Sequence, residues 1–180
     1  GFQNAETMDL SHLDTSNVTN MDAVFANLDK LKELNLSGWD VQNVTKAAAM
    51  FSAAENLKKI QGLDNFNFAS AMDLSNLLQG TALEMFNGFT TGDQLTNVSG
   101  MLGMMQHLTS ADVSKMNLTN VNDMGSMFMS DNQLTSVKGF NQNTTQNVVN
   151  FSNMFSGTGL TTVDMNDFGG QKAQNLSGMF

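Results

Sequence analysis

The feature that most constrains this chain is a motif that returns every 24–28 residues along its whole length. Its clear copies run Asn17-Val18-Thr19-Asn20-Met21 with Val24-Phe25, Asn43-Val44-Thr45 with Met50-Phe51, Asn120-Val121 with Met127-Phe128, and Asn147-Val148 with Met154-Phe155. Degenerate copies open at Ser70-Ala71 and Gln94-Leu95, and a short one at Asn175-Leu176 ends in Met179-Phe180. Openings therefore fall at 17, 43, 70, 94, 120, 147 and 175. A fixed period of this size means that each unit is one small supersecondary piece. Alone it cannot bury its apolar face, so stability must come from stacking units into a solenoid.

Within one unit, Val18, Met21 and Phe25 recur at three and four residues, the spacing of one face of a short helix, with Asp14, Thr15, Ser16 and Asn17 as capping oxygens before it. Leu34-Asn35-Leu36-Ser37 alternates apolar and polar, as a short strand with one buried face does. The chain contains no Pro, so every strand can donate to neighbours on both sides. The expected fold is an α/β solenoid: a right-handed, leucine-rich-repeat-like stack of 24–28-residue units with a parallel sheet on one face and short helices on the other. Residues 1–180 read as one such stack, cut within a unit at both ends, because Met8-Asp9-Leu10-Ser11 matches Leu34-Asn35-Leu36-Ser37 as the tail of an earlier unit.

Composition narrows the function classes. Hydrophobic residues make up 41 % and charged residues 14 %, which argues against charge-driven disorder, and no apolar run is long enough to span a bilayer. The formal net charge is −9 with no Arg, so a nucleic acid would approach against the field without a guanidinium to fork onto phosphate. There is no Cys, hence no disulfide framework and no thiolate metal site. His12 and His107 lie almost four units apart, too far to share a metal or a proton, so we expect neither enzyme activity, metal nor cofactor.

The stretch Leu34-Asn35-Leu36-Ser37-Gly38-Trp39-Asp40-Val41-Gln42-Asn43-Val44-Thr45, with Met50-Phe51 beyond it, resembles the BspA-like leucine-rich-repeat family of bacterial surface proteins. It is most similar to the subtype of lactic acid bacteria and mycoplasmas with the signature Trp-Asp-Val-Ser-Asn-Val-Thr-Asn-Met…Met-Phe. Gln42 stands in place of the Ser, and the units at 70 and 94 depart furthest. The resemblance implies export to the bacterial cell surface or cell wall and adhesion to host extracellular matrix, mucin, an epithelial surface or another bacterium.

The candidate binding residues are the outward positions of the strands, namely Asp9, Glu33, Asn35, Glu84, Asp112 and Asp164, a polar and acidic face. The recurrent Asn17, Asn43, Asn120, Asn147 and Asn175 read as a structural ladder bonding the backbone of neighbouring turns. Met21, Met50, Met124, Met127, Met154 and Met179 occupy apolar positions of the repeat and read as core, and Trp39 as packed. The function expected is a non-catalytic adhesion module, and the alternative is a spacer with no ligand of its own.

Overall fold

A computed structural model describes residues 2–180 and shows a solenoid of stacked coils held by parallel strands. The strands are β1 (Thr7–Asp9), β2 (Glu33–Asn35), β3 (Lys59–Gln61), β4 (Asn67–Phe68), β5 (Met85–Phe86), β6 (Thr90–Thr91), β7 (Ser110–Asp112) and β8 (Ser136–Lys138). β1, β2 and β3 pair in order, with Met8, Leu34 and Ile60 in one row and Asp9, Asn35 and Gln61 in the next. β5, β7 and β8 pair likewise, with Met85, Ser110 and Ser136 aligned. The alternation read from the sequence explains these strands: Leu34 and Ala111 point into the core while Glu33 and Met85 stay in solvent.

The sheet is interrupted between β3 and β5. Elsewhere a main-chain bond just ahead of the strand links successive coils, as from Lys58 N–H to Lys32 O (3.0 Å) and from Thr109 N–H to Glu84 O (2.8 Å). At the interruption the bond comes instead from Ala82 N–H to Leu57 O (3.0 Å), and the next pairing is the short β4–β6 ladder beyond a 3-10 turn at Leu63–Asn65.

The second ladder lies where the sequence predicts two turns of helix, and no helix forms there. Parallel bridges run Asn20, Lys46, Asp73, Asn97, Asp123, Asn150, Asn175 through successive coils. Downstream of the bridge, alternate N–H groups donate to the following coil: Met21 to Lys46 O (2.8 Å), Ala23 to Ala48 O (2.9 Å), Phe25 to Met50 O (2.8 Å) and Asn27 to Ser52 O (2.9 Å). A helix would spend those donors inside its own coil; here they join coils, and local turns such as Ala26 N–H to Ala23 O (3.2 Å) fill the gaps. The price in conformation is a left-handed residue at every fourth place, with Ala23 at φ 55°, Asn27 at 58°, Ala49 at 54° and Ala53 at 56°. Such a chain returns a side chain inward every four residues, which is why Met21 and Phe25 mimic helical spacing. Among the described residues the one α-helix is α1 (Gln142–Thr145), with Asn141 as its cap.

The core runs the length of the stack. Leu31, Leu34, Leu36, Val44, Met50, Phe51 and Leu57 are all buried, and the same positions recur as Leu102, Leu108, Val121, Met127, Phe128 and Leu134. Phenylalanine rings stack between coils, Phe25 on Phe51 at 5.6 Å, Phe128 on Phe155 at 5.7 Å and Phe155 on Phe180 at 6.3 Å. The six methionines assigned to the core are buried, and Trp39 is half-buried, its indole N–H donating to Leu10 O (2.9 Å).

The bridge register also locates the repeats. The openings at 43, 70, 94, 120 and 147 fall in one column, including the two degenerate central units. The last differs: Asn175 pairs with Asn150, so the column partner of Asn147 is Lys172.

A left-handed backbone costs an L-residue about 1–2 kcal/mol, whereas glycine's extra chain entropy costs about 0.5–1 kcal/mol. Ala23 is exposed, so Ala23→Gly should leave urea-melt stability unchanged or raised by up to about 1 kcal/mol. Ala47→Gly, at a buried position with ordinary φ, should lower it by about 1 kcal/mol or more.

Candidate interaction face

The outward columns of the strand ladder form a mostly polar face in two stretches, one on each side of the interruption. One row carries Thr7, Glu33 and Lys59; the next carries Asp9, Asn35 and Gln61; farther along the stack Asp112 aligns with Lys138. Lys59 and Lys138 were absent from the expected acidic set, although each sits at a position outward by the same alternation. Lys59 Nζ lies 3.9 Å from Glu33, and Lys32 Nζ one row away bonds Glu6 at 2.8 Å. The face is therefore of mixed charge, not uniformly acidic.

Of the candidate binding residues, Asp9, Glu33 and Asn35 stand together at one end of the stack, while Glu84, Asp112 and Asp164 lie on three later coils. Four of the six use their side chains on their own backbone. Asp9 Oδ1 accepts from Ser11 N–H (3.0 Å) and Ser11 hydroxyl (2.6 Å), Asn35 from Ser37 N–H (3.1 Å), Asp112 from Ser114 N–H (2.9 Å) and Asp164 from Asn166 N–H (2.9 Å). At Asp9, Asn35 and Asp112 these are Asx turns that close the strand end, whereas at Asp164, where the sequence predicts a strand position, no strand forms and the bond caps a 3-10 turn at Met165–Asp167. The Ser11 and Ser114 hydroxyls, with the adjacent amides, hold the Asp9 and Asp112 carboxyls below the usual range, and Ser16 does the same for Asp14. Glu33 and Glu84 keep exposed carboxylates free of such turns.

Three of the five ladder asparagines bond the preceding coil: Asn43 Nδ2 donates to Ser16 O (2.8 Å), Asn120 to Asp93 O (2.9 Å) and Asn147 to Thr119 O (2.8 Å). Asn17 belongs to the first coil, and no earlier coil stands among the described residues to offer it a carbonyl. Asn175 sits in the other polar column, where it accepts from Ser177 N–H (3.1 Å). That column is a second ladder of turns which the sequence reading missed: Asn20, Asp73, Asn97, Asp123 and Asn150 each accept the N–H two residues on. Lys46 interrupts it, and Asp22 of the previous coil takes the orphaned Ala48 N–H instead (2.8 Å).

Buried threonines also went unread. Thr15 Oγ1 donates to Asp40 O (2.8 Å) and accepts from Asp40 N–H (2.9 Å), and Thr91 treats Asn117 in the same way. Among the described residues Asp131 is the one buried carboxyl group: its Oδ1 accepts from Met105 N–H (2.7 Å), and Oδ2 has no partner. Burial pushes its pKa up to about 8, against which the Met105 bond pulls only partly. His12 and His107 are exposed on different coils, and among the described residues no group of three or more His, Asp or Glu is gathered to hold a metal ion.

Two pH windows follow. Between its ordinary 3.8 and about 8, Asp131 keeps a proton in the folded state that the unfolded chain has released, so stability falls as pH rises through that range and levels off above it. Asp9, Asp14 and Asp112 work oppositely: what they contribute is present above their ordinary value and is lost as pH falls into the acid range. At about 1.4 kcal/mol per pKa unit, the shift from 3.8 to about 8 sets an upper bound of roughly 6 kcal/mol on that decline. Asp131→Asn keeps the acceptor for Met105, so thermal melts from pH 4 to 8 should flatten while the loss of stability at acid pH persists.

No curated protein and no solved structure matches the chain significantly. A family model described as Mycoplasma protein of unknown function, DUF285, matches residues 1–110 and 96–180, which together span the chain. The recurrence of one two-ladder coil through both matched stretches is what two overlapping matches to a repeat family require, and the chain belongs to that family.

Proposed function

We propose that this chain is a non-catalytic interaction module of a bacterial cell-surface protein, adhering to host matrix, mucin, an epithelial surface or another bacterium through its strand face. The observation that carries this reading is the separation of labour in each coil. Inward residues and turn-forming side chains hold the stack, whereas Thr7, Glu33 and Lys59 on one side of the interruption, and Met85, Ser110 and Ser136 on the other, stand at outward positions and can change without disturbing it. Tandem coils repeat those positions at fixed spacing, which suits many modest contacts acting together. The likeness of the repeat to the BspA-like leucine-rich family supports export to the surface, including a Gram-positive wall, and the mycoplasma family supports a bacterial source. The leucine-rich comparison rests on the repeat's sequence alone, since turns replace the expected helices.

A spacer role is the second reading. It is favoured by one specific observation, that Asp9, Asn35, Asp112 and Asp164 are engaged in turns of their own backbone.

Binding of the folded chain to immobilised mucin, fibronectin, collagen and whole cells separates the two. Under the adhesive reading we expect saturable binding that weakens in high salt and falls by about tenfold or more when Glu33 and Glu84 are both changed to Lys. Reversing Asp112 and Asp164 should weaken it too, with circular dichroism checking that loss of their turns has not unfolded the chain. Absence of binding to all of these surfaces, with the chain folded, would leave the spacer.

A further inference from the structure

β8 uses only one of its edges. It pairs with β7 on one side, Ser136 with Ser110 and Lys138 with Asp112. The following coil would be expected to bring residues 160–164 to the other side. That coil is tied down before the stretch by Gly159 N–H to Asp131 O (3.2 Å) and after it by Gly169 N–H to Thr145 Oγ1 (2.6 Å). Between these ties, no main-chain hydrogen bond joins residues 160–164 to residues 135–139. The coil bows away from β8 and leaves a cavity of about 450 Å³.

The floor of this wedge is apolar. Val137, Leu160, Val163, Phe140 and Phe168 are half-buried there, although the residues at the place of Val137 in β2, β5 and β7, namely Leu34, Phe86 and Ala111, are buried. The Phe140 and Phe168 rings lie 5.3 Å apart, and Phe168 also meets Phe155 at 6.0 Å. Lys138, Asp164 and Asp167 put both signs of charge on the rim.

We propose that this wedge is a peptide-binding site, in which an extended segment of another protein adds beside β8 as a further strand and packs an aromatic or branched aliphatic side chain against the paired Phe140 and Phe168 rings. The free edge decides the class of ligand. Lys138 O already accepts from Val113 N–H on the β7 side, so by the alternation of a parallel ladder it is Val137 that turns both its N–H and its C=O to the free edge, and another peptide backbone answers both. An acyl chain would fill the floor but leave those groups unmet, at a desolvation cost for each. Mixed rim charge favours an uncharged segment. The interruption between β3 and β5 is not equivalent, because no aromatic ring lines its depression. The inference goes beyond the adhesive reading and holds for an adhesin or a spacer alike.

The test uses the whole chain, labelled with 15N, and a short blocked peptide of alternating Thr and Val with a central Phe. We expect saturable amide shifts confined to residues 135–140 and 160–168. An analogue N-methylated on alternate amides, with the same side chains, should bind about tenfold more weakly or worse, because it cannot complete the strand. Equal binding of the N-methylated analogue would reduce the wedge to an apolar pocket and overturn strand addition. Shifts located elsewhere, or none at millimolar peptide with the spectrum of a folded chain, would overturn the site itself.

Discussion

The interaction on which everything else depends is the main-chain hydrogen bond from one coil to the next. Each coil has almost no structure that could stand alone: its strands are two or three residues long, and the second ladder touches its neighbours through single bridges and alternate N–H groups. Two-strand ribbons of that length are unstable in water, so no coil persists without the next. Packing follows from this bonding, because the ladder fixes the coil spacing at which Phe25 meets Phe51 and Phe128 meets Phe155.

A coil made mostly of turns leaves many N–H and C=O groups that no ladder reaches, and the composition answers that need. Short polar side chains are ladder components here: Asn and Asp close turns, Asn43, Asn120 and Asn147 reach the preceding coil, and buried Thr15 and Thr91 satisfy groups at the corners. The substitution at Lys46 shows how strict the requirement is. A lysine cannot accept, and the Ala48 N–H it leaves open is met by Asp22 from the coil before.

The repeat and the parallel strands were legible, because each rests on a spacing that the core enforces, whereas the register of the degenerate central units is fixed by the bridges through Asp73 and Asn97. The helices were not legible. Inward residues three and four apart are equally the signature of a turn chain that goes left-handed at every fourth place, and apolar spacing cannot tell the two apart. The residues at those places can: Ala23, Asn27, Ala49, Ala53, Asn76, Gly80, Gly100, Ser126, Ser130, Asn153 and Gly157 are nearly all small or Asn, with Met104 the exception. Asn175 was placed three positions early because each unit has two asparagine columns, and Lys172 has removed the first from the last unit. The acidic face was half legible. Alternation identifies which residues point outward, but a carboxylate's bond to the N–H two residues on is invisible to alternation, as is the strand register that sets Lys138 beside Asp112.

This division bears on how the solenoid can evolve contacts. Side chains that close turns cannot be exchanged freely, so the surface open to change is narrower than the exposed polar area suggests. It comprises the outward strand residues that make no local bond, such as Glu33 and Met85, together with places where the ladder itself lapses. A lapse differs in kind from a variable side chain, since it exposes backbone whose donors and acceptors demand partners of fixed geometry. At β8 the lapse coincides with half-buried aromatic rings, so main-chain complementarity and apolar burial act at one place. Because the open strand edge and the apolar rings are already partly exposed there, recognition of a partner's backbone at the last coils breaks none of the main-chain bonds that hold the stack.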